Sequence, residues 1–204
     1  EGAEGTEEDE EQQQQQQPPG RERLFEDPTY LALLERLQRL VTEFYPGLVE
    51  LLLEIVPQEY RPAKGLIWNQ GAMTGGVSEG HCGKHKDSQN LVNGFFYFTA
   101  GSVEGGRTVM FKRGTRDEIE LAVEFRNGRC ILGPFNRVLH GSTPFTGGRA
   151  CLGAYVDRRI VRSCLVFRLR VDGETGEAEW VARGEKEYAR LKQRYDALVE
   201  THGL

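Results

Sequence analysis

The chain is 204 residues long, with a formal net charge of −5 and 38% hydrophobic residues; that length suits one domain with a sizeable core and would cramp two. No stretch is apolar enough for a membrane span or a secretory h-region, and the four cysteines, Cys82, Cys130, Cys151 and Cys164, form neither a CxxC pair nor a regular disulfide framework. The expectation is a protein of a reducing compartment, nuclear or cytoplasmic, with no membrane partner and an oligomeric state the sequence does not set. A first residue of Glu rather than Met is what a processed chain or an excised domain would show.

Residues 1–20 hold seven acidic side chains, no basic ones, the run Gln12 to Gln17 and then Pro18-Pro19-Gly20. Such a composition buries too little apolar surface to fold alone, so a disordered acidic, glutamine-rich tail is expected. Setting it aside reverses the charge: 24 of the 31 acids remain in 21–204 against all 26 Lys and Arg, a net of about +2. The acidic whole therefore does not exclude a nucleic-acid partner.

A single domain over 21–204 begins with helices across 28–56. Asp27 stands as a cap before Pro28, and Leu31, Leu34, Leu37, Leu40 and Val41 recur at helical spacing. Pro46 opens a second helix carrying Leu48, Leu51, Leu52 and Ile55 and ending before Pro57. From Gly65 short β-like runs broken by glycine take over, setting a β-core at about 65–171. They are Leu66 to Trp68, Gly94 to Thr99, Thr108 to Phe111, Ile119 to Phe125, Arg129 to Leu132, Arg149 to Val156 and Cys164 to Val171. Lys112 to Arg116 and Asp172 to Gly176 read as hairpin turns. A helix at about 184–202 closes the chain with a stripe of Tyr188, Leu191, Tyr195 and Leu198. Packing helices, then roughly seven or eight short strands, then a closing helix make an α+β chain with a sandwich or barrel core.

The chemistry concentrates between His85 and Arg149. In extended backbone, residues i and i+2 share a face, so His85 and Asp87 offer an imidazole and a carboxylate to one point in space. A second imidazole from a distant strand, His140, completes a two-His, one-carboxylate set, which leaves three adjacent positions of an octahedral ferrous ion open. A competing metal reading is His81-Cys82-x-x-His85, whose softer ligands suit zinc, though no second pair matches it.

The order HxD, a distal His and a following Arg, on short strands after N-terminal helices, resembles the iron(II)- and 2-oxoglutarate-dependent dioxygenases of the double-stranded β-helix (jelly-roll) fold. The resemblance covers roughly residues 60–170. Within that superfamily, His85-Lys86-Asp87-Ser88-Gln89-Asn90, Asn93-Gly94, Val103-Glu104-Gly105-Gly106 and Leu139-His140-Gly141 look most like the TET/JBP group, which oxidises the methyl of 5-methylcytosine or thymine in nucleic acid. The resemblance implies Fe(II) held by His85, Asp87 and His140, with 2-oxoglutarate as cosubstrate, O2 as oxidant and Arg149 on the distal carboxylate of the cosubstrate. A planar guanidinium suits that task. Relatives often place a hydroxyl two residues after this arginine; here Cys151, a weaker donor, occupies the position, which leaves room for another small organic reductant.

The implied substrate is a methylated pyrimidine, in DNA by preference and RNA as the other possibility. Asn69 and Asn90 are the candidates for holding a flipped base, while Trp68 is a core tryptophan or a stacking surface. Lys112, Arg113 and Arg116 on the hairpin tip, and the arginines from Arg158 to Arg170, are candidates for phosphate contacts, the alternative for the latter being a solvated strand face. Gly105-Gly106 either turns the chain tightly or lets backbone approach a substrate. Two rivals stand beside this reading: a protein hydroxylase of the prolyl type, which Gly105 to Val109 also resembles, and an inactive β-helix binding module.

Overall fold

The computed structural model describes residues 25–61, 63–76, 83–115 and 117–204. The expected tail, His81, Cys82 and Arg116 lie outside them. Helix α1 (Pro28–Phe44) starts as its sequence dictates: the Asp27 carboxylate accepts from the Tyr30 N–H at 2.9 Å and Pro28 takes the first turn. It buries Tyr30, Leu34, Leu37 and Val41, one stripe at helical spacing. Helix α2 (Leu48–Ile55) is capped by Gly47 in the left-handed region rather than opened by Pro46, and it ends before Pro57 as expected.

Seven antiparallel strands follow in two sheets. β1 (Gln70–Gly76), β2 (Asn90–Gly105), β5 (Cys130–Gly133) and β7 (Phe145–Asp157) form a four-stranded sheet in the order β1-β7-β2-β5. β3 (Thr108–Phe111), β4 (Ile119–Val123) and β6 (His140–Ser142) form a three-stranded sheet in the order β4-β3-β6. This is an α+β chain with antiparallel sheets, the arrangement a jelly-roll needs.

Side-chain alternation divides the larger sheet between two cores. On one face Phe96, Ala154 and Val156 join the helical leucines, and Gly94 is needed there, because a Cβ would lie 2.6 Å from the buried Leu37 Cδ2. On the other face Tyr97 and Ile131 gather Phe95, Met110, Val123, Phe125 and Cys151, so this face packs against the smaller sheet. The candidate site sits on that inner side.

Two expected strands come out differently, one wholly and one in part. Leu66 to Trp68 is irregular, because its polar groups bond to α1 and not to a ladder: the Ile67 N–H donates to Gln38 Oε1 at 2.8 Å, Gln38 Nε2 donates to the Gly65 carbonyl, and Trp68 Nε1 donates to the Leu34 carbonyl at 3.0 Å. Trp68 is fully buried and serves the core. Cys164 to Val166 belongs instead to helix α3 (Arg158–Val166), which Asp157 caps by accepting from the Arg159 N–H at 2.7 Å, and which buries Val161, Cys164 and Leu165 at i, i+3 and i+4. Only Phe167–Val171 is extended there. It is β8, paired with β9 (Ala178–Ala182) in a separate two-stranded sheet around the expected Asp172 to Gly176 turn. The two facing sheets thus end at Asp157.

Helix α4 (Glu185–His202) closes the chain, burying Leu191 and Tyr195 while Tyr188 faces outward. Among the described residues no helix is long and apolar enough to cross a membrane.

Removing the Trp68 side chain deletes both a large buried volume and the donor that meets the Leu34 carbonyl. Trp68→Ala is expected to destabilise the fold by about 3–5 kcal/mol, measured by urea denaturation.

Candidate metal centre

Two backbone hydrogen bonds create the centre. The His85 N–H donates to the His140 carbonyl at 2.8 Å and the His140 N–H returns the bond at 2.9 Å. Residues that exchange both bonds lie directly opposite, with side chains on one face, and the imidazole centroids accordingly stand 4.3 Å apart. Asp87, two residues along, is held by its N–H on the Phe135 carbonyl at 3.1 Å.

The carboxylate spans the two rings. Its Oδ1 is 3.4 Å from His85 Nε2 and its Oδ2 3.8 Å from His140 Nε2, and the ligand atoms of all three residues lie within 4.8 Å of one another. Both Nδ1 atoms are engaged on carbonyls, His85 with Gly83 at 2.8 Å and His140 with Val138 at 3.0 Å. A carbonyl only accepts, so each Nδ1 carries a proton and each Nε2 is turned to the common point. Metal-binding histidines are oriented in this way. Burial holds the His140 imidazole below its ordinary pKa, with the neighbouring His85 acting the same way and the Val138 carbonyl opposing. Burial thus favours the neutral ring that ligation requires, with the Asp87 carboxylate also opposing.

Access is one-sided. The His140 side chain is 7% exposed and packs against Phe135 at 4.8 Å between centroids, whereas His85 is 42% exposed. A metal ion would fit the donor set of two Nε2 atoms and a carboxylate.

Asn93 supports the centre, and sequence reasoning missed it. Fully buried on β2, it donates through Nδ2 to Asp87 Oδ2. The faint signal for it was period-2 placement with Phe95 and Tyr97 on the inner face of the sheet.

Arg149 enters from β7. Its guanidinium carbon stacks over the Phe145 ring at 3.8 Å and lies 5.1 Å from the centroid of Phe125, while Nη1 donates to the Gly106 carbonyl at 3.2 Å and Nη2 to Ser142 Oγ at 3.3 Å. The hydroxyl that Cys151 cannot supply comes instead from Ser142, two residues after His140 on the same strand face. Nearby, the Tyr97 hydroxyl and Thr108 Oγ1 bond at 2.8 Å. Gly105 and Gly106 both have positive φ in the turn from β2 to β3, and a Cβ on Gly106 would stand 2.9 Å from Arg149 Nη1. They turn the chain and clear space for the guanidinium at once.

The other candidates fare unevenly. Asn69 commits its Oδ1, which accepts from the Asp157 N–H at 2.8 Å and so pins the end of β7, while its Nδ2 is buried without a hydrogen-bond partner. Asn90 begins β2 with its N–H on the Asp87 carbonyl at 2.8 Å, half-buried beside the metal candidates. Lys112 is ion-paired with Glu118 at 2.9 Å across the hairpin, and Arg113 is exposed on the tip. The run Arg158 to Arg170 is not one strand face; Arg159 pairs with Asp157, Arg168 with Glu187 and Arg170 with Glu179.

No protein-family model matches the sequence, and no curated protein does. Among solved structures the chain is similar to an oxidoreductase of the 2OG-Fe(II) oxygenase family from Burkholderia pseudomallei, at 14% identity and a TM-score of 0.38, over 45% of this chain and 44% of that one. It is also similar to a Pseudomonas putida prolyl-4-hydroxylase, at 21% identity and a TM-score of 0.38, over 44% of this chain and 52% of that one. The chain spans about half the length of these structures.

Losing the amide that orients Asp87 should loosen the metal without removing a ligand. Asn93→Ala is expected to weaken ferrous-ion affinity by about 10–100-fold, read by anaerobic titration with the melting temperature recorded as a check on folding.

Proposed function

We propose that the chain is a non-haem iron oxygenase, with Fe(II) held by His85 Nε2, the Asp87 carboxylate and His140 Nε2. The observation that carries this reading is the convergence of two Nε2 lone pairs on one carboxylate, with both Nδ1 protons committed to backbone carbonyls. Arg149 supports 2-oxoglutarate as the cosubstrate. Residues i and i+2 on a strand are roughly 7 Å apart, so Ser142 places the guanidinium about one five-carbon diacid away from His140. The two sheets would then be the walls of a double-stranded β-helix, with the cosubstrate between them.

When bound, the ion with 2-oxoglutarate and O2 supplies the coupled oxidation that yields succinate, CO2 and a hydroxylated carbon. The chain's own part is to fix geometry. Asp87 and His140 are set by Asn93, Phe135 and Val138, and the inner aromatic residues Phe95, Tyr97, Phe125 and Phe135 exclude water on the closed side. Arg149, stacked on Phe145 and hydrogen-bonded to Ser142, anchors a carboxylate away from the reacting carbon.

The substrate proposed is the methyl group of 5-methylcytosine or thymine in nucleic acid, DNA before RNA, acting in the nucleus or cytoplasm. Asn90 is the remaining candidate to read the base edge and Arg113 the remaining described phosphate contact on the hairpin. The use of Asn69 Oδ1 on the Asp157 backbone favours the second reading, a prolyl-type protein hydroxylase, because it takes the acceptor of one of the two clamp candidates. Mass spectrometry of methylated oligonucleotides and of proline-rich peptides, each incubated with the iron-loaded protein, decides between them. A hydroxylated peptide with unchanged 5-methylcytosine and thymine would install the second reading.

Activity should depend on the ligands without the fold depending on them. One ferrous ion per chain is expected on anaerobic titration, and His85→Ala, Asp87→Ala or His140→Ala should each abolish succinate release while the circular dichroism spectrum is kept. Full activity in the His140 variant would overturn the assignment, and an iron-loaded wild type that releases no succinate would mark a binding module.

Arg149→Ala should raise the half-saturating 2-oxoglutarate concentration by about 30- to 1000-fold, the equivalent of roughly 2–4 kcal/mol for a lost charge-assisted pair. Unchanged saturation would show that another residue, or another cosubstrate, belongs there.

A further inference from the structure

Most arginines from Arg158 onward have a carboxylate partner: Arg159 has Asp157, Arg168 and Arg183 share Glu187, and Arg170 has Glu179. Arg158 and Arg162 do not. They stand at i and i+4 on α3, which places two like charges on one helix face. Arg137, from the turn that precedes β6, joins them: its Nη1 comes within 3.8 Å of the Cβ position of Gly203 at the end of α4. From α4 the buried Tyr195 lies close enough for Arg158 and Arg162 to oppose the upward pKa shift that burial gives its hydroxyl. Among the described residues no carboxylate lies within ion-pair distance of any of the three arginines.

Arg158 makes the imbalance costly. Its Nε and Nη2 are buried without a hydrogen-bond partner, so one edge of the cation has lost water and gained nothing in return. Burial, with Arg162 and Arg137 as like charges, holds its pKa below the ordinary guanidinium value, Tyr195 opposing. Neighbouring cations that no carboxylate among the described residues offsets are stabilised by an external anion. Arg137 and Arg162 are exposed, so the cluster opens to solvent.

We propose that Arg137, Arg158, Arg162 and the Tyr195 hydroxyl form a binding site for a phosphate group. Two guanidiniums one helical turn apart on α3, with a third from the turn before β6 nearby, suit a tetrahedral, doubly charged oxyanion with several acceptor oxygens better than a single carboxylate. The site is coupled to the metal-bearing segments: the Arg158 N–H donates to the Gln89 carbonyl at 2.8 Å, two residues beyond Asp87, and Arg137 is three residues before His140. The phosphate belongs either to a small phosphate ester or to a polynucleotide backbone. The site stands on its own residues and needs no metal.

The test uses the full, metal-free chain in low-chloride buffer. Inorganic phosphate is titrated by calorimetry, and a fluorescent oligonucleotide by anisotropy, against wild type, an Arg137→Ala/Arg162→Ala double variant and Arg158→Met, which keeps the buried stem. Both variants should melt normally, since the first pair is exposed and the second removes a buried charge. Phosphate affinity is expected to fall at least about tenfold in each. Oligonucleotide binding that is displaced by phosphate and lost in the same variants assigns the polynucleotide backbone; phosphate binding without oligonucleotide binding assigns a small ester. Absence of phosphate and oligonucleotide binding to wild type, or equal binding by wild type and both variants, overturns the proposal.

Discussion

The exchange of backbone hydrogen bonds between His85 and His140 is the constraint on which the site depends. It joins a segment outside the sheets to the short strand β6 at a single pair of residues. Because the pair is directly opposed, the two imidazoles share a face, and the period of two carries Asp87 and Ser142 with them. One pairing thereby sets three candidate ligands and the hydroxyl next to Arg149. A slip of one residue would turn every one of these side chains to the other face.

Beside that pairing, the larger sheet packs on both faces. Its outer face holds the helices, with Leu37 seated over Gly94, while its inner face carries Asn93, Tyr97 and Arg149 toward the centre. Alternate residues of β2 therefore serve stability and chemistry in turn: Phe96 packs on the helices and Tyr97 bonds to Thr108 across the two sheets. Substitutions on the outer face act on the site only through the sheet, whereas those on the inner face touch it directly.

Charge is distributed with the same economy. The glutamates at 54 and 187 each gather two arginines around α4, and exposed pairs such as Lys112 with Glu118 are screened and contribute little. Against that background Arg149 lies between the Phe145 and Phe125 rings, and the trio of Arg137, Arg158 and Arg162 is without a carboxylate partner among the described residues.

What the sequence determined by itself is what local rules govern. Asp27-Pro28 set the start of α1, the β-pattern over Thr108 to Phe111 matched β3 to the residue, the Asp172 to Gly176 turn made a hairpin, and the spacing of His85 and Asp87 put two candidate ligands on one face. Helix α3 was also legible, from Asp157 as cap and the spacing of Val161, Cys164 and Leu165, had the arginines between them not suggested an exposed strand. Tertiary structure alone decided the partners. Asn69 holds Asp157 from far along the chain, Ser142 meets Arg149 and Asn93 reaches Asp87 across turns, and Arg137 comes near Arg158. A side chain's role as clamp, anchor or prop depends on what the fold brings within hydrogen-bonding distance, and local sequence rules carry no information about that distance.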